Sequence, residues 1–356
     1  MRVGLIDADL LDGGTRFPNL ALMKQSAYYK KKGHEVELTD YSKIMKFDKI
    51  FLSKVFDYTK ISINLDFFNH IEYGGSGFYF DQAPPLDEKI EHHKPDYSLY
   101  NNFVEEKLKN GENKNKWKYY LDYDIGFATR GCFRQCDFCI NRNCTKVEKH
   151  SPIDEFVTKE NKYISLLDDN FLGYKNWKNI LEELQATKKQ FEFKQGLDIR
   201  LMTEEKAKML SESKYKGDYI FAFDDLDNRE IIEPKLNLWR KHNNQSTKLY
   251  VLVAYKNQGA KDIVEAFERI KILMKYNCLP YLMRYKNYND SKYRGMYINL
   301  ARWCNQPSFF KKLSFREFCI KNGLESACYK YMKNFESDHK EIADKYFDIK
   351  FKEECK

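Results

Sequence analysis

The 356-residue sequence contains no run of about 18 apolar residues, so we expect no membrane-spanning helix. It also has no segment that resembles a secretory signal, because the residues from Met1 to Asp7 have the apolar pattern of a β-strand. Its nine cysteines are therefore expected in a reducing cytoplasm, where clustered cysteines form metal sites more often than disulfides. These absences argue against a membrane protein and against a disulfide-rich secreted domain.

The composition indicates a globular protein with enough apolar surface for a core. Hydrophobic residues make up 42% of the chain and aromatic residues 16%, which is typical of folded rather than disordered proteins. At 356 residues the chain exceeds the usual size of one domain. We therefore expect one large domain or two modest ones.

The net charge of +8 is compatible with a nucleic-acid partner. In the segment from Lys116 to Tyr120, lysines are interleaved with aromatic residues, which can contact phosphates and stack on bases. Lysine and tyrosine are frequent along the whole chain, however, and 61 basic residues face 53 acidic ones. An ordinary solvated surface is therefore the alternative interpretation.

The most informative feature is a group of three closely spaced cysteines, Cys132, Cys136 and Cys139. Three thiolates on one short loop can hold three irons of a four-iron, four-sulfur cluster, whereas four cysteines hold a closed cluster. The fourth iron is then open to another ligand. The spacing therefore predicts an iron–sulfur site with one accessible iron.

Three other interpretations of these cysteines remain open from the residues alone. Their spacing would place them on one face of a helix, although Gly131 and the polar pair Arg134-Gln135 favour a loop. Structural zinc needs four ligands, and Cys144 can supply the fourth at an irregular spacing. A disulfide requires an oxidising compartment, which nothing at the N-terminus indicates.

The pattern Cys-x3-Cys-x2-Cys, with Phe138 directly before the last cysteine, resembles the signature of the radical S-adenosylmethionine (SAM) superfamily. The resemblance implies that the amine and carboxylate of SAM chelate the open iron and that Phe138 lies beside the adenine. It also implies that one electron splits SAM into methionine and a 5′-deoxyadenosyl radical, which abstracts hydrogen from a substrate. A one-electron reductant such as flavodoxin or ferredoxin is the partner that this chemistry needs.

Residues 1–80 have the pattern of a Rossmann-like domain, because an apolar run, a helical stretch and an alternating run predict a βαβ unit. This order resembles the cobalamin-binding domain that precedes the barrel in one branch of the superfamily, with Gly74-Gly75 matching its glycine pair. The branch's Asp-x-His-x-x-Gly motif is missing, because the residues from Asp9 to Gly13 include no histidine. We therefore expect a degenerate domain without cobalamin, and cobalamin-dependent methyl transfer is the alternative function.

Residues 81–120 contain prolines and a long polar run and are expected to form a linker. From 121 to 290, apolar runs alternate with helical stretches, which is the pattern of a parallel α/β sheet or barrel. Strands are predicted at 124–128, 163–167, 191–195, 219–223, 249–254 and 279–283. Six strands match the partial (β/α)6 barrel of TIM type that the resemblance implies, and 291–356 is expected to be a helical C-terminal extension.

Polar residues at the ends of these strands are candidates for binding SAM, because barrel active sites form at the carboxyl ends of strands. The superfamily binds the SAM amino group after the second strand, where this sequence has Asp168, Asp169 and Asn170. Arg200, after the third strand, can pair with the SAM carboxylate. Asp224, after the fourth strand, is a candidate for ribose or substrate contacts. Helix capping is the alternative role of these acidic residues.

Four further cysteines, Cys304, Cys319, Cys328 and Cys355, have spacings that match no compact cluster motif, so we expect buried free thiols rather than a second cluster. The sequence thus predicts a cytoplasmic radical SAM enzyme and leaves its substrate open. The alternative of another class is a non-catalytic zinc or nucleic-acid-binding protein in which Cys144 is the fourth ligand.

Overall fold

The computed structural model describes residues 1–351. The chain divides into two compact units, Met1–Lys194 and Gln195–Lys356. Parallel β-sheets occur in both units, and the second unit ends in a helical region, so the protein belongs to the α/β class. No helix within the described residues combines the length and apolar character that a membrane crossing requires.

The first unit begins with a four-stranded sheet of strand order β2-β1-β3-β4. Its strands are β1 (Arg2–Asp7), β2 (Glu35–Leu38), β3 (Lys49–Ser53) and β4 (Ile71–Gly74). Each neighbouring pair is parallel, and β1 is buried along nearly its whole length between β2 and β3. The predicted βαβ unit is therefore present.

Short helices surround this sheet: α1 (Ala8–Asp12), α2 (Leu20–Lys31), α3 (Ser76–Tyr79), α4 (Glu88–Glu91), α5 (Asn101–Lys109) and α6 (Lys118–Leu121). Helix α2 begins after Asn19, whose side-chain oxygen accepts a hydrogen bond from the Leu22 amide at 3.2 Å. The helix therefore starts where its first amides gain a partner, close to the position that the sequence pattern predicts.

The predicted linker contributes to the core of this first sheet. The side chains of Trp117 and Tyr120 pack in one hydrophobic cluster with Leu5 of β1. Trp117 is 1% exposed, and Tyr119 and Tyr120 are each 7% exposed. These rings face the interior, so the segment from Lys116 to Tyr120 offers no surface on which bases could stack.

A second parallel sheet of the first unit consists of β5 (Tyr123–Gly126), β8 (Tyr163–Leu166) and β9 (Gln190–Phe193). Between β5 and β8 the chain forms a short antiparallel pair, β6 (Thr129–Arg130) with β7 (Glu148–Lys149). The helices of this part are α7 (Ile153–Phe156) and α8 (Trp177–Ala186). The β6–β7 pair closes the base of the loop that carries the three cysteines.

The second unit contains the parallel sheet β10 (Tyr219–Ala222), β11 (Thr247–Val253) and β12 (Leu279–Arg284). Its helices are α9 (Glu204–Ser211), α10 (Arg229–His242), α11 (Ala260–Lys275), α12 (Arg294–Cys304), α13 (Pro307–Phe310), α14 (Phe315–Lys321), α15 (Ala327–Asp338) and α16 (Lys340–Tyr346). All six predicted strands are therefore present, three in each of two sheets, and the helical C-terminal region is confirmed within the described residues.

Single turns of 3₁₀ helix connect many of these elements. They occur at Tyr41–Lys46, Leu65–Phe67, Phe80–Gln82, Lys114–Trp117, Phe171–Gly173, Ile199–Leu201, Leu226–Asn228 and Lys286–Asp290. Several begin at an aspartate or asparagine whose side chain accepts a backbone hydrogen bond, as Asp198 does from the Arg200 amide.

A buried carboxyl group lies at the carboxyl end of β1. Asp7 is 2% exposed, and its oxygens accept hydrogen bonds from the Tyr100 hydroxyl at 2.8 Å and the Leu10 amide at 3.1 Å. Burial raises the pKa of Asp7 to about 6, although the hydrogen bonds from Tyr100 and Leu10 oppose this shift. The folded protein therefore holds the Asp7 proton more tightly than the unfolded chain does.

This raised pKa predicts a specific pH dependence of stability. Because the folded-state pKa of Asp7 lies above its unfolded value, its contribution to stability falls as the pH rises from about 4 through about 6. Between pH 4.5 and 7.5 the free energy of unfolding should fall by about 2 kcal/mol relative to that of Asp7→Asn, which cannot ionise. Urea unfolding of both proteins at the two pH values measures this difference, and parallel pH profiles would contradict it.

Candidate functional site

The three cysteines lie on the loop of residues 131–147, which contains neither helix nor strand and leaves the sheet through β6 and returns through β7. Gly131 starts this cysteine loop with φ +91°, a conformation that favours glycine. A Cβ atom at this position would lie 2.4 Å from the Lys146 carbonyl oxygen. The two ends of the loop therefore approach each other closely, and only glycine fits at the contact.

Cys132, Cys136 and Cys139 are half-buried and form no disulfide, and Cys144 is a fourth half-buried cysteine on the same loop. The Cys139 amide donates to the Cys136 carbonyl at 2.9 Å, which is a turn rather than part of a continuing helix. The expectation of a loop is thus confirmed, and a core stripe on a helix is excluded. Phe138, which stands between Cys136 and Cys139 in the sequence, is half-buried.

Asp168 follows β8 and holds the entrance of the cysteine loop. Its carboxylate accepts hydrogen bonds from the Ala128 amide at 3.1 Å, the Thr129 amide at 2.7 Å and the Thr129 hydroxyl at 2.6 Å. The side chain is fully buried, and burial raises its pKa to about 7 against these hydrogen bonds. Both oxygens already have protein donors, so Asp168 contributes by positioning β6 rather than by capping helix α8.

Asp169 joins the two ends of the cysteine loop. One carboxylate oxygen accepts from the Gly131 amide at 2.8 Å, and the other accepts from the Asn141 side-chain amide, also at 2.8 Å. The cysteines lie in the chain between these two contacts. A single carboxylate therefore fixes both flanks of the cysteine triplet, at a net gain of about 1.5–3 kcal/mol for each charged hydrogen bond.

Asn170 is the residue of this segment that has an unused polar atom. Its side-chain amide donates to the Cys132 sulfur at 3.4 Å. Its side-chain oxygen is buried and has no hydrogen-bond partner, and the residue is only 3% exposed. Buried polar atoms in proteins are almost always paired, so this oxygen marks a place where a ligand can donate a hydrogen bond.

Two cysteine sulfurs accept further hydrogen bonds from the backbone of their own loop. The Arg134 amide donates to Cys132 and the Asn141 amide donates to Cys139, each at 3.4 Å. Burial raises the pKa of the Cys139 thiol, and the nearby charges of Cys132, Asp169 and Cys144 act in the same direction. A cation bound to these sulfurs would reverse this effect, because metal coordination deprotonates a thiol.

Arg200 lies in the second unit, on the 3₁₀ turn Ile199–Leu201. Its guanidinium is paired with Asp198 through two hydrogen bonds, Nε to Oδ1 at 2.7 Å and the second to Oδ2 at 3.1 Å. The structure thus gives Arg200 a carboxylate partner within the protein, and its predicted pairing with the SAM carboxylate remains a prediction.

Asp224 follows β10 in the second unit and is half-buried. Its carboxylate accepts from the Leu252 amide at 3.1 Å, and burial raises its pKa to about 6 although the positive charge of Arg269 opposes this. Arg269 in turn donates to the Asp224 carbonyl at 2.6 Å and to the Leu252 carbonyl at 2.9 Å. Asp224 therefore ties β10 to β11, and its contact with ribose or substrate stays a prediction.

The geometry of the acidic and thiol groups bears on the zinc alternative. A zinc ion needs four donors that converge on one point at about 2.0–2.3 Å. Within residues 1–351 no group of three or more histidine, cysteine, aspartate or glutamate side chains is arranged to hold a metal ion in this way. In a four-iron cluster each thiolate binds a different iron, so its cysteines need not converge on one point.

The remaining cysteines lie elsewhere. Cys304, Cys319 and Cys328 are buried in the second unit, and the sulfurs of the last two lie 3.5 Å apart. Cys355 lies outside the described residues.

The segment from Asp9, where the cobalamin branch has its histidine motif, lies in helix α1, and the Asp9 carboxylate accepts a hydrogen bond from the Val55 amide at 2.7 Å. Asp9 is thus engaged by its own domain.

Sequence reasoning identified the Asp168-Asp169-Asn170 segment but missed its partners Thr129 and Asn141. Their roles depend on the path of the cysteine loop, which hydrophobic periodicity does not encode. The positions of these two residues in the sequence could have identified them, because Thr129 directly follows the first predicted strand and Asn141 comes two residues after Cys139.

No protein-family model matches the sequence, and no curated protein matches it significantly. The function has therefore to be inferred from the residues and their contacts.

The two-ended contact of Asp169 can be tested by removing its side chain. Asp169→Ala lacks both acceptor oxygens, so the Gly131 amide should exchange with deuterium roughly tenfold to a hundredfold faster. Hydrogen–deuterium exchange of peptides that cover residues 131–141 measures this effect.

Asp137→Ala is the matched control, because Asp137 is an exposed acidic residue on the same loop. It should exchange like the unmodified protein. Equal exchange in Asp137→Ala and Asp169→Ala would contradict the role of Asp169.

Proposed function

We propose that this protein is a radical SAM enzyme in which Cys132, Cys136 and Cys139 hold a 4Fe–4S cluster with one open iron. The observation that carries the proposal is the unpaired, buried side-chain oxygen of Asn170 beside the Cys132 sulfur. It supports a ligand that donates a hydrogen bond next to the first cysteine. The ammonium group of SAM has this chemistry, and the superfamily binds it after the second strand.

The donor set fits the cluster. Three thiols on one loop, each able to bind a separate iron, leave one iron for an exchangeable ligand. When bound, the cluster and SAM supply the electron and the 5′-deoxyadenosyl radical that abstracts hydrogen from the substrate. Amides that donate to Cys132 and Cys139 sulfurs stabilise negative charge there, as hydrogen bonds to cluster sulfurs do.

Each residue after β8 then has a separate task. Asp168 fixes the first turn of the loop, Asp169 fixes its two flanks, and the Asn170 side-chain oxygen would accept a hydrogen bond from the ammonium group of SAM. Phe138 is proposed to lie beside the adenine, Arg200 to pair with the SAM carboxylate and Asp224 to contact ribose or substrate. For Arg200 this requires exchange of its Asp198 partner for the SAM carboxylate.

The proposed architecture joins the six parallel strands of residues 123–284 into a partial (β/α)6 barrel. The order of parallel strands and helices supports it, because β5, β8, β9 and β10 to β12 follow the alternation of such a barrel. The proposed reductant is a flavodoxin or ferredoxin, and a reducing cytoplasm suits an oxygen-sensitive cluster. Cobalamin is not part of the proposal, since Asp9 is engaged by Val55 and no histidine stands near it in the sequence.

Anaerobic purification and SAM cleavage test the proposal, with two cysteines of the same loop as a matched pair. The reconstituted protein should be brown, absorb near 400 nm and release 5′-deoxyadenosine from SAM after reduction. Cys136→Ala should lose both properties, because it removes one of three iron ligands. Cys144→Ala should keep both, since Cys144 is outside the triplet.

A zinc site would give the opposite pattern. The protein would then be colourless with one zinc per chain, and Cys144→Ala would lose metal as readily as Cys136→Ala does. Release of 5′-deoxyadenosine by Cys136→Ala at the unmodified rate would also contradict the ligand assignment.

A further inference from the structure

An exposed group of aromatic side chains lies at the carboxyl ends of β3 and β4. Phe56, Tyr58, Tyr73, Tyr79 and Phe80 are between 38% and 73% exposed, although all are large rings. We call these five residues the aromatic platform. Contiguous exposed apolar surface of this kind usually marks a binding site, because burying it on folding would otherwise be favourable.

The rings of the platform are arranged in parallel pairs. Phe56 and Tyr58 are stacked with centroids 5.2 Å apart and planes inclined by 13°. Tyr73 and Tyr79 lie 6.2 Å apart with planes inclined by only 2°. Each pair therefore presents flat faces and edges to solvent, which suits a planar partner better than an aliphatic side chain.

A glycine-rich turn brings the two pairs together. The Gly77 amide donates to the Lys54 carbonyl at 2.9 Å, and the Ser76 hydroxyl donates to the Val55 carbonyl at 2.9 Å. Gly75 has φ +104°, and a Cβ atom there would lie 2.3 Å from the Lys54 carbonyl oxygen. The glycines thus allow the chain after β4 to pack against the chain after β3, which brings the two segments that carry the aromatic residues together.

The platform adjoins the cysteine loop. Asp81 accepts hydrogen bonds from Arg142 Nε at 2.6 Å and from the Asn143 side chain at 2.8 Å, and these hydrogen bonds lower the pKa of Asp81. The Arg142 guanidinium also lies 5.5 Å from the centre of the Phe80 ring. A ligand on the platform would therefore reach the loop that carries the three cysteines.

The cysteine loop beside the platform has an excess of basic residues. Residues 130–149 contain Arg130, Arg134, Arg142, Lys146 and Lys149 against Asp137 and Glu148, and of these cations Arg142 is paired with Asp81 and Lys146 with Glu148. Lys54 adds a cation 5.0 Å from the centre of the Phe78 ring. Flat aromatic faces next to a basic loop are the combination by which proteins hold unpaired bases together with their phosphates.

We propose that the aromatic platform and the basic cysteine loop bind single-stranded nucleic acid, and that a nucleotide of this strand is the substrate of the reaction. The second part rests on the proposed radical SAM function. A single strand suits the surface because its bases are free to stack on the rings, whereas those of a duplex are stacked on each other. The net charge of +8 favours the same partner.

Fluorescence anisotropy of the full-length, reconstituted protein with labelled single-stranded RNA, single-stranded DNA and duplex DNA tests this proposal. A single strand should bind more tightly than the duplex, and the logarithm of the binding constant should fall linearly with the logarithm of salt concentration. The comparison of RNA with DNA shows which of the two strands the surface prefers.

Ring variants identify the surface. Tyr58→Ala and Tyr79→Ala should each weaken binding roughly tenfold, as loss of one stacking ring does, while Tyr58→Trp should bind at least as tightly as the unmodified protein. Phe67→Ala is the matched control, because Phe67 is 79% exposed in the same unit and is not a platform residue. Its affinity should not change. The retained binding of Tyr58→Trp separates stacking from a loss of folding.

Several results would overturn the proposal. These are equal binding of duplex and single strand, equal affinity of the Tyr58→Ala and Phe67→Ala variants, or a dimer in light scattering that Tyr58→Ala dissociates. The two proposals fail separately. If the unmodified protein binds the single strand but holds no iron after reconstitution, the radical SAM function alone is contradicted. If it holds iron and cleaves SAM but does not bind the strand, the nucleic-acid surface alone is contradicted.

Discussion

The hydrogen bonds between the segment Asp168-Asp169-Asn170 and the cysteine loop are the constraint on which the candidate site depends. A loop without helix or strand has no internal ladder of hydrogen bonds to fix three sulfurs in space. Here the end of a buried strand supplies that order, because Asp168 holds the Thr129 amide and Asp169 holds Gly131 and Asn141. The loop that carries the cysteines is thereby fixed to the sheet.

The loop is held from a second side by the N-terminal part of the same unit. Asp81, which directly follows the aromatic platform, binds Arg142 and Asn143 just beyond the last cysteine of the triplet. The exposed aromatic surface and the cysteine loop are therefore joined through one carboxylate. Under the proposed function, this contact would let the N-terminal domain present a substrate to the cluster without cobalamin.

The strands of residues 123–284 and the position of the segment Asp168-Asp169-Asn170 could be predicted from the sequence. The contacts that this segment makes could not. Apolar runs determined the six strands of residues 123–284, and the carboxyl end of the second strand identified Asp168 to Asn170. Whether Asp168 faces a ligand or the backbone of Thr129 depends on loop geometry, which local patterns do not contain. Trp117 illustrates the same limit, because its alternation with lysine suggested an exposed stacking surface and the ring is buried.

Electron paramagnetic resonance of the reduced, reconstituted protein before and after addition of SAM tests the central claim most directly. An open iron that SAM chelates predicts a signal of a reduced 4Fe–4S cluster whose g values change when SAM is added. Asn170→Leu, which lacks the buried acceptor oxygen, should require more SAM for the same change. A spectrum that is identical with and without SAM would contradict the account, because no iron would then be open to the cofactor.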